Sequence, residues 1–376
     1  MQRRDNNAKH RRKNEANLLK NMPYTAIPQI GEFGLIDRIA ALVAPSLSAV
    51  PQLLTGIGDD CAVFQPSTNL LQVSTTDILA EQRHFDLLTT PINHLGSKAI
   101  SVNVSDICAM NAHPRYALVA LAVPASFPVA MIEELYSGMT GAAQHYGVAI
   151  AGGDTSASPC GLFISITMIG EVSPERITRR SGAKLGDLIC VTGDLGGAAA
   201  GLKLLMREKA IMLNHLEHNE PYTNTIMADL HEYREAIERQ LLPVARLDMV
   251  NLFHNNDIQP TAMIDISDGL SSDLQHLCRH SHCGALIHEQ LLPIRESTRR
   301  IADELQDDAL TWALTGGEEY QLLFTIPQES YQKIADNRAI SVIGEMTDQK
   351  AGITLRDRYG MTIGLESIKG FDHFSS

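Results

Sequence analysis

Short apolar runs in this chain end repeatedly on an aspartate beside Gly, Ser or Thr. Asp59 and Asp60 sit in G-I-G-D-D-C-A, Asp77 in S-T-T-D-I and Asp106 in N-V-S-D-I. Asp154 follows in A-G-G-D-T, then Asp265 and Asp268 in M-I-D-I-S-D-G-L. Acids placed this way, rather than on solvated helix faces, are the oxygen ligands that hard divalent cations take. Brought together without cations they would repel one another. The pattern therefore constrains the fold to one that delivers strand ends and turns to a common place. It implies a site for Mg²⁺ and a polyanion, most simply a nucleotide.

A chain of 376 residues exceeds a single core and fits two domains. The formal charge of −13 is unevenly spread, because residues 1–20 carry a net +5 and the remainder −18. An acidic body argues against nucleic acid as the main partner, since phosphate backbones select basic surfaces. Nucleotides remain compatible with it through bridging Mg²⁺. The six cysteines are mostly single and set in apolar runs, which reads as buried thiols in a reducing compartment. The basic start leads into Asn and Lys rather than an apolar stretch, so no signal peptide is expected. The most apolar uncharged stretch, Tyr116 to Ile132, is interrupted by Pro124 and Pro128 and is not expected to span a membrane. A cytoplasmic location follows as the expectation.

Residues 1–22 read as a disordered basic tail, with Met22 an alternative start; 23–171 read as a first domain and 172–376 as a second. In the first, strands are expected at Cys61–Phe64, Leu70–Ser74, Tyr116–Val123, Val148–Ala151 and Leu162–Gly170. The Thr75-Thr76-Asp77 and Gly152-Gly153-Asp154 motifs would follow two of them. Helices are expected from Pro91 to about Met110 and over Val129–Tyr146, with Pro tolerated in a first turn. In the second, Leu188–Thr192, Ala262–Ile264, Leu322–Thr325 and Ile340–Gly344 read as strands. Helices are expected at Ala198–Met206, through the polar 207–240 stretch, and over Gly269–Arg279 with a cap at Gly284. The class is α+β, with mixed or antiparallel sheets covered by helices on one face.

No G-x-x-x-x-G-K-[ST] or G-x-G-x-x-G occurs, so ATP chemistry here would lack a P-loop, and metal ions would supply the charge neutralisation. Taken singly, Asp59-Asp60 reads first as a turn, and Thr75–Asp77 equally as a polar strand terminus. Asp106 is harder to dismiss, because it lies on a helix among Val102, Ile107 and Met110, and a buried unpaired carboxylate is costly. The Gly pair before Asp154 permits close backbone approach to a ligand. His276, Cys278, His280, His282 and Cys283 crowd together but match no standard zinc spacing.

In this order, the motifs resemble those of the thiamine-monophosphate kinase family, within the aminoimidazole ribonucleotide synthetase-like superfamily. The resemblance runs from Gly31-Glu32-Phe33 to Gly370-Phe371-Asp372-His373-Phe374. It passes through Arg180-Ser181-Gly182-Ala183 and Gly316-Gly317-Glu318-Glu319-Tyr320 as well as the acidic motifs. It implies ATP-dependent phosphorylation of thiamine monophosphate by direct in-line transfer with several Mg²⁺ ions, in a homodimer formed through the first domains. It implies magnesium ligands at Asp60, Thr75, Thr76, Asp77, Asp106, Asp154, Asp265 and Asp268. ATP contacts would come from Tyr146, Gly153, Asp154, Arg180 and Ser267, and substrate contacts from His84, Glu318 and Phe371. Three positions depart from the family's pattern: Leu242 replaces an Arg, Ile368 stands where a Trp is often found, and Glu319 where Asp is commoner.

The acceptor would be a phosphate oxygen already ionised near neutral pH, so no side-chain base is required. The obstacle is repulsion between polyanions, about 4 kcal/mol per pair of unit charges at about 4 Å and an effective dielectric near 20. Two rival classes share the metal–nucleotide logic. Amidine-forming and selenophosphate synthetases are one, although the latter would present an early reactive Cys and none precedes Cys61. A non-catalytic nucleotide-binding maturation protein is the other; its C-terminal Cys has no counterpart in Phe374-Ser375-Ser376.

Overall fold

The computed structural model describes residues 53–55, 59, 61–65, 69–124, 126–217, 230–366 and 368, all within one compact unit spanning 49–371. The basic tail, the opening of the resemblance near Gly31, Asp60, Phe371 and residues 218–229 lie outside the described residues.

A first mixed sheet has six strands: β1 (Leu53–Thr55), β2 (Ala62–Phe64), β3 (Leu71–Ala80), β4 (His113–Pro124), β5 (Ala149–Ser158) and β6 (Phe163–Val172). Their order is β1-β2-β3-β6-β4-β5. Neighbours run antiparallel except β4 and β5, which are parallel. Along β3, Leu71, Val73 and Leu79 are buried while Thr76 and Ile78 are exposed, the period-2 signature of a sheet covered on one face. Helices α1 (Ile92–Ala109) and α2 (Val129–Tyr146) pack together on the covered side. They approach backbone to backbone: a Cβ on Gly96 would stand 2.0 Å from the Leu135 carbonyl oxygen, and one on Gly138 1.9 Å from that of Asn93.

The second sheet has seven strands: β7 (Leu188–Thr192), β8 (Ala262–Asp265), β9 (Gly284–His288), β10 (Leu322–Ile326), β11 (Ile340–Thr347), β12 (Ile353–Arg356) and β13 (Thr362–Gly364). Their order is β13-β12-β9-β11-β7-β10-β8, with only β12 and β9 parallel. Its helices are α3 (Gly197–Glu217), α4 (Arg234–Leu241), α5 (Leu247–Asn255), α6 (Leu270–Ser281), α7 (Glu296–Glu304) and α8 (Ala309–Thr315). The α+β class with mixed sheets holds. One apolar cluster runs from the first sheet into α5 and the back of the second, where Phe253 and Phe324 meet edge to face at 5.2 Å. No described helix is long and apolar enough to cross a membrane.

Three boundaries differ from the sequence reading. Thr75, Thr76 and Asp77 lie inside β3, which continues to Ala80 because β6 pairs with it along its whole length. Gly152, Gly153 and Asp154 likewise lie within β5, paired to β4. Helix α6 is capped by His282 in the left-handed region (φ 55°), and Gly284 instead begins β9.

Candidate active site

Helix α1 carries the junction between the two sheets. Lys98, Ser101 and Ser105 recur at i, i+3 and i+7 and so share a face. Ser105 Oγ donates to Asp265 Oδ2 at 2.6 Å, reaching the last residue of β8. The adjacent Asp106 accepts from Thr75 Oγ1 at 2.5 Å, reaching β3, and its carbonyl oxygen accepts from Cys61 Sγ. Two neighbouring residues of one helix thus bring an acid from the second sheet beside an acid flanked by the first.

Asp77 falls on the same face of β3 as Thr75, between the buried Val73 and Leu79. Tyr320 locates the remaining acids. Burial above all raises its phenol far beyond the ordinary value, and the charges of Glu318, Asp77, Asp265 and Asp106 add to that shift. The charges of four carboxylates, on α1, β3, β8 and the loop before β10, are therefore all felt at one buried phenol.

The turn from β8 into α6 is tied by Asp273, a residue that motif reading missed. Asp273 Oδ2 accepts from the backbone N–H groups of Ser267 (3.1 Å) and Asp268 (3.2 Å). Burial chiefly, then the charges of Asp268 and Asp265, push its carboxyl well up, and Arg180 partly offsets them. Arg180 also stands 3.8 Å from Asp59, whose Oδ1 accepts from the Arg180 backbone N–H. The 316–321 loop is bonded to the same turn: Glu318 N–H donates to the Ser267 carbonyl and Tyr320 N–H to that of Ile266, both at 2.8 Å. Glu318 (φ 62°) and Tyr320 (φ 51°) both occupy the left-handed region, a costly conformation for side chains with a Cβ and one that clusters at functional sites. Lys98 Nζ lies 2.8 Å from Glu318 Oε1. The sequence signal for Lys98 and Asp273 was a charge inside an apolar pattern, between Leu95 and Ala99 and between Leu270 and Leu274.

Other expected site residues fall elsewhere. Asp154 shares a rung with Ala120, Ser165 and Ile78, the last 56% exposed, so it faces away from α1 on the outer side of edge strand β5. Thr76 is on that outer face too, bonded to Thr167 at 3.1 Å. Gly153 has φ 156°, and a Cβ there would collide with the Val119 carbonyl at 1.7 Å, so close strand approach demands the glycine. Tyr146 is buried, with its hydroxyl accepting from Ala245 N–H at 2.9 Å and meeting Ser101 Oγ at 3.3 Å. His84 sits in the turn after β3, its Nδ1 accepting from Ala80 N–H at 2.9 Å. Ile368 packs against the second core, and Cys278 is part of that core. Beside Arg180, a basic-edged cleft of about 340 Å³ is lined by Thr178, Arg179, Ser181, Lys184, Gln259 and Thr261 among others.

The donors at the junction are carboxylate and hydroxyl oxygens, which fits magnesium rather than a soft metal. Among the described residues no three acidic, His or Cys side chains are grouped closely enough to hold one ion. Two of the acids instead each accept a hydroxyl hydrogen bond, Asp106 from Thr75 and Asp265 from Ser105.

The family described as AIR synthase related protein, N-terminal domain, matches residues 58–172, and its C-terminal domain family matches 184–356. The thiamine-monophosphate kinase of Aquifex aeolicus (strain VF5) is 35% identical over 319 residues, 85% of this chain and 93% of that protein. That of Escherichia coli (strain K12) is 36% identical over 355 residues, 92% of this chain and 99% of that protein. A solved structure described as AaThiL complexed with AMPPCP and TMP matches with a TM-score of 0.77 at 32% identity, covering 94% of this chain and 100% of that one. Hydrogenase maturation protein HypE shares the fold at 20% identity, with a TM-score of 0.61 over 85% of this chain and 96% of its own. With both domain families matched in order and full-length relatives above the level that fold alone explains, this chain belongs to the thiamine-monophosphate kinase family of AIR synthase related proteins.

Proposed function

We propose that this chain transfers the terminal phosphoryl group of ATP to thiamine monophosphate, giving thiamine diphosphate. The observation that carries the reading is the junction at which adjacent residues of α1 reach both sheets, Ser105 bonding Asp265 of β8 and Asp106 bonding Thr75 of β3, in a chain of this family. A relative with the same fold over the whole chain is described with an ATP analogue and TMP together, which supports ATP and TMP as the two ligands here.

The acceptor oxygen is ionised near neutral pH, so positioning and charge neutralisation supply the catalysis. When bound, Mg²⁺ ions neutralise the phosphates and align them. Thr75, Asp77, Asp106, Asp265 and Asp268 would hold them, with Asp60; Thr76 and Asp154 join that set on their motifs alone. Arg180 and Ser267, at the Asp268 turn, would meet the nucleotide, as would Gly153 and Tyr146 by motif. Glu318, His84 and Phe371 would meet the thiamine end, Phe371 through its aromatic face against the cationic ring.

A homodimer through the first domains is part of the reading. The uncovered face of the first sheet displays Ile78, Tyr116 and Leu118, 56, 48 and 41% exposed, and β5 leaves a ten-residue edge. A second copy would cover such a surface. The free thiols fit a cytoplasmic setting.

The deciding experiment incubates the protein with Mg-ATP and thiamine monophosphate and follows both nucleotides and thiamine species, with sedimentation for assembly state. Stoichiometric ADP and thiamine diphosphate are expected. Nucleotide turnover without thiamine diphosphate would sink the assignment.

A further inference from the structure

Lys98 lies mid-way along α1 with 3% of its side chain exposed. An ammonium buried this far must be paired, since an isolated charge in a protein interior is prohibitively costly. Its Nζ contacts Glu318 Oε1 at 2.8 Å and the Gln240 carbonyl oxygen at 3.3 Å. The Gln240 side chain closes the ring, its Nε2 donating to Glu318 Oε2 at 2.5 Å. Both oxygens of one carboxylate are therefore held, one from α1 and one from α4. The backbone of Glu318 is fixed as well, by the Ser267 carbonyl and by its left-handed φ of 62°.

Pairing with Lys98 and Gln240 does not close this carboxylate off from its surroundings. The Glu318 side chain remains 26% exposed, beside the acids of the junction. An immobilised, partly open carboxylate on a strained loop is a preorganised receptor for hydrogen-bond donors.

We propose that Lys98 is a positioning residue for substrate recognition: with Gln240 it orients the Glu318 carboxylate so that its open side accepts the N–H donors of the thiamine end of the acceptor substrate. This rests on the assignment of Glu318 proposed above. Lys98 itself makes no substrate contact in this scheme. Its influence falls on the acceptor and not on ATP.

The test is a steady-state comparison of Lys98→Met, Lys98→Arg, Glu318→Ala and the Lys98→Met/Glu318→Ala double variant, with KM measured separately for each substrate. Lys98→Met should raise the KM for thiamine monophosphate by about tenfold, or about 1.4 kcal/mol, and leave that for ATP within about twofold. Lys98→Arg should recover most of the loss. Glu318→Ala should cost at least as much, and adding Lys98→Met to it should change the KM by less than about twofold. A normal acceptor KM in Lys98→Met beside a raised one in Glu318→Ala overturns the proposal, as does multiplication of the two effects. A normal KM in Glu318→Ala overturns the assignment of Glu318 and the proposal with it. Should Lys98→Met fail to fold, Gln240→Met frees the other oxygen without unpairing a charge. It should raise the acceptor KM selectively by about threefold or more, and no change there overturns the proposal equally.

Discussion

Asp265→Asn separates an acid kept for a cation from one kept for the fold. Asp265 ends β8, is 2% exposed and accepts from Ser105 Oγ at 2.6 Å, a bond that an Asn carbonyl can also accept. The substitution keeps the shape and removes the charge. That charge adds to burial in pushing up the ionisations of Tyr320, Asp273 and Cys108, acting together with the charges of neighbouring acids. Two carboxylates about 7 Å apart would repel by about 2 kcal/mol at an effective dielectric near 20. Losing the charge-assisted part of the Ser105 bond costs about 1 kcal/mol. The metal-free variant should therefore be more stable than the parent by roughly 1–3 kcal/mol, a rise of several degrees in melting temperature. Turnover should move the other way, falling on the order of 100-fold or more, and added Mg²⁺ should raise the melting temperature less than it does for the parent. Asp308 provides the contrast. It caps α8, accepting from Leu310 and Thr311 N–H, so Asp308→Ala should lose about 1 kcal/mol with turnover unchanged. Melting curves in chelator and in Mg²⁺, with kcat for each variant, decide the matter. An Asp265→Asn protein that melts below the parent in chelator and turns over normally would refute the reasoning.

Two glycines three residues apart in α2 should respond oppositely to alanine. Gly138→Ala places a methyl 1.9 Å from the Asn93 carbonyl and should cost about 2–3 kcal/mol or more, whereas Gly141→Ala meets nothing within 4 Å and should gain up to about 1 kcal/mol; urea midpoints in the reverse order would contradict the packing described for α1 and α2. Burial raises the Glu319 carboxyl from 4.5 to about 7, against the partial opposition of Arg239 and of the Ala198 N–H. Because the folded value is the higher, the folded chain binds a proton that the unfolded chain does not between about pH 4.5 and 7. This group's contribution is thus complete below about 4.5 and is lost as pH rises through about 7. Relative to the parent, Glu319→Gln should gain about 3 kcal/mol of stability across that interval; a difference in unfolding free energy independent of pH would rule the assignment out.

The strands with uninterrupted apolar runs, Leu188–Thr192 and Ala262–Asp265, were legible because burial on both faces leaves no ambiguity of period. Helix α2 was legible to its last residue, since Gly147 closes it in the left-handed region at φ 69°. The ends of β3 and β5 were misread for a reason tied to the site. Thr75 and Asp77 occupy inward positions that a structural strand would give to apolar residues, so function imitates a strand terminus. The motif pattern announced that Asp106 and Asp265 would converge. It could not announce that Thr75 would donate to Asp106 and Ser105 to Asp265, because a hydroxyl beside an acid has no periodic signature. Lys98 and Asp273 carry meaning only through partners far along the chain or on the backbone, which no local window contains.

The local rules that fail in this chain fail together. Left-handed backbone at two residues with a Cβ, buried acids within each other's field and a lysine inside an apolar helix all meet at one end of β8. Each departure costs on the order of 1–3 kcal/mol, and none is needed to close either sheet. A fold holds such a concentration only where the surrounding packing overrides it, and here α1 is wedged between the first sheet and the second with most of its residues buried. The strain is therefore a property of the ligand-free state. Cations and phosphates arriving at the junction would add opposite charge to this field, so binding and stability should rise together.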